Sequence, residues 1–131
     1  MLMPILAAAL ALQDTPAVPV PPPPPPETIT LEDLPIEQAA AGRCAVAYAT
    51  LARWQQAQDP RAAGFAAGAG SGGREFFVQV IAKLMEEAGL TRAHVQALTA
   101  REFAKNDTAE GAERIRTLLP ACDMMKSAAG L

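Results

Sequence analysis

Six consecutive prolines, Pro21–Pro26, divide this chain into a part that can pack and a part that cannot. Proline has no N–H to donate and its φ is held near −65°, so such a run enters neither a helix interior nor a central strand. Residues 16–26 hold eight of the twelve prolines. A tract of that composition adopts polyproline II and extends on the order of 30 Å at about 3.1 Å per residue. It reads as a spacer. Proline runs also serve as ligands for aromatic-lined grooves, but this one lacks the flanking basic residue that orients many such ligands.

Before the prolines lies an apolar stretch, Met1–Leu12. It is too short to span a bilayer as a helix, which takes about 20 residues. Ala9-Leu10-Ala11 has the small-x-small pattern that precedes signal cleavage, and Ala7-Ala8-Ala9 offers a second frame. The segment has no Lys or Arg, a departure from the usual signal pattern. The expected division is a signal over residues 1–11, a disordered Pro-rich linker over 12–34 and a helical domain over 35–131. The expected location is periplasmic or secreted.

The two cysteines, Cys44 and Cys122, fit that location. Their separation is not a metal-ligand spacing and forms no CxxC redox motif. In an oxidising compartment a disulfide between them is the natural inference. Half of the residues are apolar, but Ala dominates and aromatics make up 5%. Alanine favours helix yet buries little area at about 25 cal/mol per Å². Strong helices around a thin core would gain much from a covalent staple.

The helices follow from periodicity. After Pro35, well placed at a helix start, Ala40, Cys44, Ala47, Leu51 and Trp54 recur at spacings of 4, 3, 4 and 3, which predicts a helix over about 36–57. Asp59-Pro60 ends it, and residues 64–73 are expected to form a flexible glycine-rich connection. A second helix is predicted over 74–88, with Phe77, Val80, Ile81 and Leu84 inward and Gly89 at its exit. Thr91 caps a third, over 92–105. Asp107 is expected to start a fourth, with Glu110 at capping-box spacing, and Pro120 to kink it or end it near Leu119. The fold class is therefore all-α: about four helices closed by one disulfide, after an export signal and a Pro-rich linker.

Tests for chemistry find little. Gly68-x-Gly70-x-x-Gly73 has the letters of a dinucleotide fingerprint, but that mechanism needs a preceding strand. Read as a phosphate loop, Arg74 replaces the required Lys and Glu75 the Ser or Thr. The one histidine, His94, has no nucleophile or orienting group at a suitable spacing and reads as a surface residue. Residues from 38 onward hold 11 basic and 9 acidic side chains, a balance of +2, too weak for a nucleic-acid footprint. No cofactor and no metal site are expected.

What remains is apolar surplus. Trp54, Phe65, Phe76, Met85, Met124 and Met125 exceed the cleanest stripes, and flexible Met beside aromatics suits adaptable contacts. Trp54, Phe76, Phe77 and Met85 are the candidate contact residues for a protein or peptide partner in the cell envelope. The expectation is a non-catalytic, exported binding protein. A stress-responsive periplasmic chaperone is the alternative, and an enzyme built from dispersed carboxylates a more remote one. In outline the chain resembles small exported helical proteins of Gram-negative envelopes. In joining helices through two cysteines it is similar to small periplasmic acid-stress chaperones. The likeness is one of architecture, carried by no shared motif.

Overall fold

A computed structural model describes residues 28–131, with Pro16 and Pro19. The expected signal, and the linker up to residue 27 apart from those two prolines, lie outside the described residues. Four helices follow in order: α1 (Ile36–Gln56), α2 (Gly73–Glu87), α3 (Arg92–Asn106) and α4 (Gly111–Ala128). Two short 3-10 turns precede and follow α1, at Leu31–Asp33 and Pro60–Ala62. Among the described residues there is no strand.

The folded part begins before residue 35, where the linker was expected to end. Ile29 and Leu31 are buried with Ala39 of α1 and Leu98 of α3. The Thr30 N–H donates to the Asp33 carboxylate at 2.8 Å, closing the first turn. Arg101 donates to the Ile29 carbonyl. Arg43 bonds Glu32 at 3.2 Å. Backbone hydrogen bonding, then the Arg43 guanidinium, hold the Glu32 carboxyl down at about 2. Apolar Ile29, Leu31 and Leu34 interspersed with polar Thr30, Glu32 and Asp33 thus let residues 28–34 lie along the bundle with a wet side and a dry side.

Helix α1 is the axis. It packs against α2, α3 and α4, and Cys44, Ala45, Val46, Ala47 and Tyr48 are buried in unbroken succession. An amphipathic surface helix buries one stripe. This helix is enclosed on several sides, and its many alanines let neighbours approach. Gly73, at the start of α2, lies so close to α1 that a Cβ there would stand 2.8 Å from Tyr48 Cβ. A Cβ on Gly70 would stand 3.2 Å from the Ala52 Cα. The glycine-rich connection is therefore partly a packing surface, rather than the flexible loop expected. Its missing side chains make room for α1.

Cys44 of α1 and Cys122 of α4 are joined in a disulfide, Cα to Cα 5.2 Å. The bond sits among Tyr48, Phe76, Val80 and Leu84. A second centre, Ala47, Leu51, Trp54 and Ile115, joins α1 to α4. So few large side chains leave ring faces near solvent, and cations cover four of them. Arg61 lies 4.5 Å from the Trp54 ring, Lys126 4.8 Å from Tyr48, Arg116 5.1 Å from Phe65 and Arg53 5.6 Å from Phe103. Arg61 is fixed by Asp59, whose carboxylate accepts from its Nη2 at 2.7 Å. Those bonds hold the Asp59 carboxyl at about 2. Stacking of this kind contributes about 0.5–2 kcal/mol. In Arg61→Ala the single tryptophan should emit further to the red and become quenchable by iodide. Unchanged emission would show that the guanidinium does not shield the ring.

Two local details depart from expectation. Asp107 does not open α4: it follows the last residue of α3, and its carboxylate accepts from Arg53 Nη2 at 2.6 Å. Asp107 pairs across the bundle rather than capping the next helix, and α4 begins at Gly111 instead. Nor does Pro120 end the helix, which continues to Ala128. Ile115 and Cys122, on either side of it, remain buried against α1. That packing and the crosslink outweigh one missing N–H.

Candidate functional site

The N-terminal half of α1 and the C-terminal half of α2 bound an open groove of about 430 Å³. Its floor is apolar, formed by Ala41 of α1 with Val80 and Leu84 of α2; Pro35 and Ile36 form one end, and Glu37, Gln38, Lys83 and Glu87 also line it. The volume falls within the roughly 300–1,000 Å³ of ordinary binding clefts.

Ile36 explains why the groove is open. It lies four residues before Ala40, so it continues the stripe through Cys44, Ala47, Leu51 and Trp54 that forms the core face of α1. Yet Ile36 is 83% exposed. The core face of the central helix runs on past the point where its neighbours cover it. Phase alone finds this residue when the 4, 3, 4, 3 series is extended one step backward. What periodicity does not supply is where α2 stops covering it.

The four residues expected to contact a partner are not brought together. Trp54, 1% exposed, and Phe76, 3% exposed, are core residues and present no surface. With so few large side chains, the bundle uses them inside. Phe77 is half-buried and its ring lies 6.3 Å from that of Phe103. Met85 is exposed, one position beyond Leu84 and so turned away from the groove floor.

His94 is not on the surface, as its place in the sequence suggests, but 4% exposed. Its Nδ1 accepts the Thr91 N–H at 3.2 Å, and its own N–H donates to Thr91 Oγ1 at 3.2 Å. This is a reciprocal cap in which imidazole takes the part usually played by Glu or Gln. The cap spacing marks the position in the sequence, but His is not a residue the motif leads one to look for.

A second depression, about 610 Å³, lies between the glycine-rich connection and α4. Its charged groups are engaged with neighbours outside the lining. The buried Tyr48 hydroxyl donates to Asp123, and burial, then this bond, push the phenol well above its ordinary value. Lys126 donates to the Ser71 carbonyl at 2.8 Å, and Arg116 pairs with Glu113. Glu102, buried between α3 and α4, accepts from Lys105 at 2.8 Å and Arg114 at 3.0 Å. The Tyr48–Asp123, Lys126–Ser71 and Arg114–Glu102 contacts tie elements together, while the Lys105–Glu102 and Arg116–Glu113 pairs each lie within one helix. Among the described residues no group of His, Cys, Asp and Glu is placed to hold a metal ion, and no helix is long and apolar enough to cross a membrane. No protein-family model, no curated protein and no solved structure matches the chain.

Proposed function

We propose that this protein is an exported, non-catalytic binding module that seats an apolar segment of a partner protein or peptide in the α1/α2 groove. The observation that carries the reading is Ile36: a core-phase side chain left in solvent beside an apolar floor. An amphipathic helix laid into such a groove buries side chains at i, i+3, i+4 and i+7, and Ile36 with Val80 and Leu84 supplies the receiving surface. The buried disulfide supports an oxidising compartment, which accords with export. Intact mass of the native protein, with and without reductant, tests that part: a species keeping Met1 with both thiols free overturns it.

For the groove, the probe is a 12-residue amphipathic helix with leucines at i, i+3, i+4 and i+7 and glutamines elsewhere, titrated calorimetrically into the oxidised full chain. Saturable binding is expected, weakened at least tenfold in Ile36→Asp and in Ala41→Phe. Ile36 is so exposed that its replacement should change stability by no more than about 0.5 kcal/mol. No saturable binding, or binding by both variants as tight as by the unaltered chain, overturns the reading.

A further inference from the structure

Resting on the groove reading, we infer that the occupant is a basic amphipathic segment, one that carries lysine or arginine beside its apolar anchors. The charges around the groove are the reason. Helix α2 ends in Glu86-Glu87 and has no basic residue in its last turn. Carboxylates there face the negative end of the helix dipole, the unfavourable sign. Across the groove stands Glu37. Glu37 and Glu87 line the groove, with Glu86 beside it, and none of the three takes part in an ion pair among the described residues. Lys83 is the single cation among the groove residues, leaving its mouth negative.

A separate feature asks for a donor. Gln38, on the same wall, buries its Oε1 with no partner. Lysine and arginine are pure donors, and a modest turn of the amide would offer that oxygen to one. A cationic occupant would answer both the uncompensated carboxylates and the stranded acceptor. An acidic occupant would answer neither.

Three versions of the 12-residue helix test this, with the non-leucine positions lysine-rich, glutamine-only or glutamate-rich. The lysine-rich peptide should bind at least tenfold more tightly than the glutamate-rich one at low salt. The gap should narrow as ionic strength rises and the Debye length shortens. Glu37→Gln with Glu87→Gln should close most of it. Equal affinity for all three peptides overturns the charge preference and leaves the groove reading standing. Tightest binding by the glutamate-rich peptide reverses the assignment. Failure of all three to bind overturns both readings, as does concentration-dependent self-association that Ile36→Asp abolishes in the absence of peptide binding. That last result would make a second copy of this chain the occupant.

Discussion

Replacing both Cys44 and Cys122 with alanine is expected to lower the unfolding free energy by about 4–5 kcal/mol, the loop-entropy value for so long a crosslinked segment. The two positions are 78 residues apart, so the bond restrains most of the folded part in the denatured state. Small domains have only about 5–15 kcal/mol in hand, and a loss of this size should lower the melting midpoint by on the order of 20 °C. Both sulfurs lie within the core, so dithiothreitol should reach them only when the bundle opens. Reduction should then proceed at the rate of unfolding and accelerate in mild denaturant. Coincident urea midpoints for the oxidised, reduced and double-alanine forms would contradict the role assigned to this bond.

Gly111→Ala should be the most damaging of the Gly→Ala replacements. A Cβ at Gly111 would lie 1.7 Å from the Asn106 carbonyl oxygen and 2.6 Å from its carbon. The obstacle is backbone at the end of α3, so no rotamer change relieves it. Opening that junction would also disturb the Asn106 amide, whose Nδ2 donates to Thr50 at 3.4 Å inside the core, and the Arg114–Glu102 pair. Overpacking usually costs 1–3 kcal/mol, and this site should reach about 3 kcal/mol. Gly68→Ala is the control. Nothing lies within 4 Å of its added methyl, so the change should stay within about 0.5 kcal/mol. Equal urea midpoints for the two variants would show that the α3–α4 turn yields easily.

These sites show why some of the structure is legible in the sequence and some is not. The helix ends at Gln56 and Glu87 and the start of α3 at Arg92 lie within a residue or so of expectation because Asp59-Pro60, Gly89 and Thr91 act locally. The disulfide was legible because Cys44 and Cys122 each fall in phase with a buried series. The start of α4 was not, since Asp107 is claimed by Arg53 from another element, and no local rule anticipates a distant cation. Nor was the burial of Trp54 and Phe76 distinguishable from exposure: an apolar residue in phase says nothing of whether a neighbour reaches it. Ile36 and Trp54 share one face of one helix and end in opposite environments for that reason. The role of Gly70 and Gly73 was hidden similarly, because glycine written for close approach looks the same as glycine written for a loop.

The enclosure of α1 has a consequence for how the bundle chooses its alignment. Rotating an ordinary amphipathic helix by one residue, about 100°, drives polar groups inward, and water rejects the mistake. Between Cys44 and Tyr48 the same rotation merely exchanges one packed side for another. Polarity does little to specify the setting of that stretch, so bulk must: alanine where another backbone crosses, tyrosine, leucine or tryptophan where space remains. In this molecule the smallest side chain serves as the registration mark.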